Sequence, residues 1–150
     1  MDDEKAEVIT MESKEKINPE MAEAEFKRWA DVWDIDDDLD DMDLEAKEDF
    51  NGHKRRITKA IKKGRAFISD DGSTVTYNLI EPVAETSKIE MRIPKGDSWL
   101  LMDKYKEKQQ FHKFNAFMSA SSKVYPKIFS SMDGRDLKFF QSVTALFLAS

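Results

Sequence analysis

Cysteine is absent from this 150-residue chain. That excludes a disulfide framework, a thiolate metal site and a cysteine nucleophile, and it suits a reducing interior. Histidine is nearly absent: His53 and His112 are the only two, the first in a basic run and the second on the charged flank of an apolar helix. Neither stands beside a recognisable nucleophile, metal-ligand pair or glycine-rich phosphate loop. Long apolar runs are missing too, the longest being Ala145 to Ala149, far short of the roughly 20 residues that span a bilayer. The first sixteen residues, MDDEKAEVITMESKEK, are acidic and polar, the reverse of a secretory or transit peptide. Together these absences lead to the expectation of a cytoplasmic protein that is not an enzyme, with no membrane contact, no cofactor and no metal site.

Charge is abundant. Charged residues make up 36% of the chain and mean hydropathy is -0.64, so the core of this domain-sized sequence must be concentrated in part of it. The net charge of -6 hides a split, because residues 1 to 50 hold 20 Asp and Glu against 6 Lys and Arg, and the remainder holds 10 against 18. Such an asymmetry is expected of a solvated acidic arm beside a globular body. The expected organisation is a disordered tail over 1–17, an acidic arm with an amphipathic helix over 18–50, and an α+β core domain over 51–150.

Asn18-Pro19 writes a helix start, with Asn as N-cap, Pro at the first helical position and Glu20 in the first turn. Ala22, Phe26, Trp29, Ala30 and Trp33 follow on one face, opposite Glu23, Glu25, Lys27, Arg28 and Asp31. Two readings are open: this face packs on its own body, or it lies in a partner's groove. Ten acids in sixteen residues come next, from Asp34 to Asp49. Asp34, Asp36, Asp38 and Glu45 fall at positions 1, 3, 5 and 12 of an EF-hand loop, but Leu39 occupies position 6, where a left-handed turn is needed, and Asp41 occupies the apolar position 8. The segment therefore reads as a solvated linker.

A second helical pattern places Ala46, Phe50, Ile57, Ala60 and Ile61 on one side, with a break expected at Asn51-Gly52 and a stop at Gly64. Its end, HKRRITKAIKKGR, carries seven Lys and Arg in thirteen residues. That run is the one candidate for phosphate contact, but no aromatic is interleaved with it and the whole chain is acidic, so nucleic acid is not the expected partner.

From Ala66 the period changes to two. Ala66 to Ile68, a turn at Asp70-Asp71-Gly72, Thr74 to Leu79 stopped by Pro82, and Ser87 to Ile93 with Ile89, Met91 and Ile93 on one face predict a three-stranded antiparallel meander. Helical patterns follow from Gly96-Asp97-Ser98 through Trp99, Leu100, Leu101 and Tyr105, and again over Phe111, Phe114, Phe117 and Met118. A short turn after Pro126 leads to the terminal stretch, where Asp133 and Asp136 open a helix bearing Leu137, Phe140, Val143 and Phe147 with Phe139 and Leu146 on its flanks. The fold class is thus α+β: a small meander followed by a helical cluster and preceded by a partly helical acidic arm.

The strand ending Asn78-Leu79-Ile80-Glu81-Pro82-Val83, the strand Ile89 to Pro94 leading through Gly96-Asp97 into a helix, and the final helix from Met132-Asp133-Gly134-Arg135-Asp136-Leu137 to Phe147-Leu148 are similar in order and spacing to the small tail-assembly chaperones of tailed bacteriophages and prophages. The similarity covers about residues 74 to 150. It implies binding rather than catalysis: holding the long, hydrophobic, helical tape-measure protein in solution and assisting the tail-tube protein to polymerise around it. Such a holder needs exposable apolar surface, and Phe26, Trp29, Trp33, Phe139, Phe140, Val143 and Phe147 are the candidate partner-binding residues. The same aromatics also serve as a core, since three short strands supply little else. Self-association into a homo-oligomer is open, as are two other roles, a nucleic-acid-binding or nucleic-acid-mimicking module masked by the acidic arm and a structural virion or adaptor protein.

Overall fold

The computed structural model describes residues 17–96 and 110–150. In chain order these form α1 (Pro19–Val32), a 3-10 turn (Leu39–Asp41), α2 (Leu44–Lys62), β1 (Ala66–Ile68), β2 (Thr74–Val83), β3 (Thr86–Arg92), α3 (Gln110–Ser122), α4 (Pro126–Ser130) and α5 (Gly134–Leu148). The α+β class and the antiparallel meander β1-β2-β3 are as expected. The helix expected from Gly96-Asp97-Ser98 through Tyr105 lies outside the described residues from Asp97 onward, as does the expected tail up to Lys16. Ile17, assigned to that tail, packs against the core.

Period-two patterning makes the sheet one-sided. Register pairs Ala66 with Tyr77 and Tyr77 with Ile89, then Ile68 with Val75 and Val75 with Met91, so these six side chains share one face, and all six are buried. Ile93 was expected on this face but is 43% exposed. Strand β3 ends one residue earlier, where the Arg92 carbonyl accepts from the Ser121 hydroxyl of α3 and Pro94 removes the next donor.

Strand β2 does not stop before Pro82. Its register with β3 shifts between Asn78 and Val83, and within such an irregularity a proline costs no ladder bond, so the strand continues to pair Val83 with Thr86. The break expected at Asn51-Gly52 is not there either. Phe50 on one side of the glycine and Ile57 and Ile61 on the other are all buried, and this packing carries α2 through at a cost in helix propensity of about 1 kcal/mol. Asp43 caps its start, accepting from the Ala46 amide at 2.8 Å. At its end Gly64 takes φ 72° while the Gly64 and Arg65 amides bond back to the Ile61 and Ala60 carbonyls, a Schellman motif.

Helix α1 begins as read, with the Asn18 side chain accepting from the Met21 amide at 2.8 Å. It ends in the same motif, but with Asp34 at φ 55° in the place of glycine and the Ile35 amide on the Ala30 carbonyl. The residue at the first EF-hand position is therefore spent on ending a helix. The helix is also tied to the hairpin. The Trp33 indole donates to the Ser73 carbonyl at 3.0 Å, and Arg28 donates to the Ser69 carbonyl at 3.1 Å.

The separation into an acidic arm and a core does not describe this molecule. Ala22, Phe26, Trp29, Ala30 and Trp33 belong to the same buried cluster as the sheet face and α5, and the expected boundary after residue 50 falls inside α2. Apolar area is the reason: a three-stranded sheet and short helices bury too little by themselves, and two tryptophans are worth several kcal/mol when removed from water. Helix α5 is the central element, packed on α2, α3 and β2. Its burial reaches polar positions as well, Asp136, Ser142 and Thr144.

Candidate functional site

All seven residues read as partner-binding lie in this core or against it. Phe26, Trp29, Trp33, Phe139, Phe140 and Val143 are each at most 2% exposed, and Phe147 is half-buried against the same cluster. The structure brings the α1 and α5 sets together, Trp33 meeting Phe147 edge-on at 5.5 Å. Phe139 stacks on Tyr77 at 4.3 Å, and Phe140 meets Tyr77 and Phe129 edge-on. These faces are spent on one another, so the exposed surface expected of them is absent from this conformation.

A polar feature at the centre escaped the sequence reading. Asp133 is the cap of α5, accepting from the Arg135 amide at 2.8 Å. Asp136, read as a second acceptor at that helix opening, is fully buried and turned the other way. One of its oxygens accepts from the Tyr77 hydroxyl at 2.8 Å and the Ile80 amide at 2.9 Å, the other from the Glu81 amide at 3.1 Å. Those amides belong to the stretch of β2 that its register shift leaves off the β3 ladder, so the carboxylate replaces the missing strand partner. Burial and then the Asp136 hydrogen bond push the Tyr77 phenol well above its ordinary range. A second acid one helical turn after a filled cap position was the signal available in the sequence.

A cleft with a volume of about 460 Å³ lies between the 3-10 turn, the first half of α2 and the C-terminal end of α5. Its floor is apolar, made by Met42, Ala46, Phe50, Ala145, Leu146 and Ala149. Its rim carries Asp36, Asp41, Asp43 and Asp49, with His53 at one end. Local bonds shape it. The Ser150 hydroxyl accepts from the Asp36 amide and donates to the Leu146 carbonyl, both at 2.8 Å, tying the acidic segment to the end of α5. Asp38 caps the 3-10 turn, and its charge, with that of Asp36, raises the Asp41 carboxyl above the ordinary value. Leu39 and Leu44, on the same acidic segment, are exposed, Leu44 by 73%.

His53 reaches the Ser142 hydroxyl at 3.0 Å, and that hydroxyl also accepts from Arg56 at 3.0 Å. Burial first, then the Arg56 charge, lowers the imidazole below its usual value, with Asp49 acting in the opposite direction. Two further cations of the basic stretch are engaged: Lys54 pairs with Glu23 at 2.9 Å and lies over the Phe26 ring, and Arg65 donates to the Asn78 carbonyl. Arg55, Lys59 and Lys63 are exposed.

Among the described residues no group of three or more His, Asp or Glu side chains is placed to hold a metal ion, and no helix is long and apolar enough to cross a membrane. Comparison with protein-family models, with curated proteins and with solved structures found no match.

Proposed function

We propose that this chain is a non-enzymatic assembly chaperone of a tailed bacteriophage or prophage, acting in the host cytoplasm to bind the tape-measure protein and assist tail-tube assembly. The order and spacing of the sequence motifs over residues 74 to 150 support the reading through their similarity to that family. The observation that carries the binding role is the acid-rimmed, apolar-floored cleft beside α5. A holder of a helical client needs accessible apolar surface that charge keeps soluble, and helix-in-groove binding is the recurring way to supply it. With the aromatic faces committed to the core, the client surface moves to this cleft.

Co-expression with the tape-measure protein of the same genome tests the reading. The client is expected in the soluble fraction together with this chain. A client recovered only in the pellet, with this chain alone in the supernatant, sinks it. Mass spectrometry of finished particles separates a chaperone, expected to be absent, from a structural virion protein, which stays.

A further inference from the structure

We propose that the cleft between α2 and the end of α5 takes a basic amphipathic helix, its apolar ridge on the floor and its Lys and Arg side chains at the aspartate rim. The proposal rests on the chaperone reading only in taking that helix to belong to the client. Two features point to a helix. The floor is built from Ala46 and Phe50 on α2 and from Ala145 of α5 and Ala149, the residue that caps its end, two pairs at i,i+4 spacing, and ridges at that spacing leave a groove that accepts a third helix. Three of those four residues are alanine, which lets a backbone approach closely.

Charge selects the sign of the occupant. Asp36, Asp41, Asp43 and Asp49 ring an apolar floor with carboxylates, and the like-charge crowding of Asp36 and Asp38 around Asp41 is relieved by incoming cations. The same complementarity argues against the chain's own first sixteen residues, which hold six acids against three lysines. The basic stretch of a second copy has the right sign in its exposed Arg55, Lys59 and Lys63, but the apolar side of that helix, Phe50, Ile57 and Ile61, is buried in its own fold and leaves no apolar ridge for the floor.

The test uses the full chain and a fluorescein-labelled Lys/Leu peptide of about 18 residues with leucines at i, i+3 and i+4, read by anisotropy at physiological salt. Asp41→Asn/Asp43→Asn/Asp49→Asn keeps side-chain capping at Asp43 and is expected to weaken binding by about tenfold, the sum of three partly screened ion pairs. Glu20→Gln/Glu85→Gln/Glu90→Gln removes the same charge elsewhere and is expected to change it less than about twofold. A scrambled peptide of the same composition keeps the charge and loses the apolar stripe, and it is expected to bind the unsubstituted chain about tenfold more weakly than the patterned peptide. Amide shifts in the unsubstituted protein are expected to move over residues 41–53 and 145–150, which keeps the proposal testable without any variant. Equal losses in both triple variants, equal binding of the scrambled peptide, or shifts elsewhere overturn it. So does concentration-dependent self-association that the Asp41, Asp43 and Asp49 substitutions abolish, because the occupant is then a second copy. A client kept soluble by the aspartate variant as well as by the unsubstituted chain overturns the cleft and leaves the chaperone; an insoluble client with peptide binding intact overturns the chaperone and leaves the cleft.

Discussion

The Tyr77 hydroxyl donates to the Asp136 carboxylate across 2.8 Å in the interior, joining the middle of the sheet to the first turn of the central helix. With the Ile80 and Glu81 amides it makes Asp136 a three-bond acceptor that holds α5 to the irregular half of β2. Both carboxylate oxygens are occupied, so the group acts as a clamp.

Asp136→Ala leaves three donors without that acceptor, and it is expected to cost about 3 kcal/mol or more. Tyr77→Phe removes one charge-assisted bond and leaves the carboxylate two partners, for a loss of about 1.5–3 kcal/mol. Urea unfolding of both single variants and the double variant measures the coupling. A coupling near zero would show that the clamp does not act as a unit.

The phenol also sets an alkaline limit. Its folded value lies above the unfolded one, about 10, so the fold holds the proton more tightly and its contribution is fully present below that value. Stability is expected to fall as pH rises above about 10, where the unfolded chain has released the proton and the folded chain has not. Tyr77→Phe should flatten that part of the curve, as read by thermal melts from pH 8 upward, after its constant offset is subtracted. An unchanged slope counts against the clamp as the source.

Two glycines are predicted to respond in opposite directions to alanine. Gly72 has φ 77°, and a Cβ there would lie 2.8 Å from both the Arg28 carbonyl oxygen and Val32 of α1. Gly72→Ala is expected to destabilise by about 2 kcal/mol or more, from the left-handed backbone and the clash together. Gly52 lies within α2 with nothing within 4 Å of the added atom, so Gly52→Ala is expected to stabilise by about 0.5–1 kcal/mol. Differential scanning calorimetry checks both signs.

Phe140 decides between a core helix and a client-facing one. Fully buried against Tyr77, Phe129 and Phe139, it is expected to cost about 3–5 kcal/mol when cut to alanine. Phe140→Asp buries an unpaired charge and is expected to lose folded helicity by circular dichroism. A folded Phe140→Asp variant that has only lost its client would return the aromatic face to the surface.

The sequence by itself determined the local elements. Asn18 before Pro19, Asp133 before the last helix, Gly64 after α2 and the two-residue alternation of Ile89 and Met91 act within a turn or a strand, and each is where its chemistry placed it. Boundaries slipped where a distant contact overruled a local preference. Packing on both sides of Gly52 carried α2 through it, and the register shift let β2 run past Pro82.

Only the tertiary structure decided what each face is for. Amphipathic spacing says that Phe26, Trp29 and Phe140 need cover, and it carries no information on whether the cover comes from this chain or from another. In the fold these residues cover one another, and the acidic segment and the end of α5 meet at the bond between Asp36 and Ser150, 114 residues apart, to form the cleft. The role of Asp136 was beyond the sequence for the same physical reason. A carboxylate in a first turn is a cap or a long-range acceptor according to which amides lie across from it, and those amides sit 55 and 56 residues away.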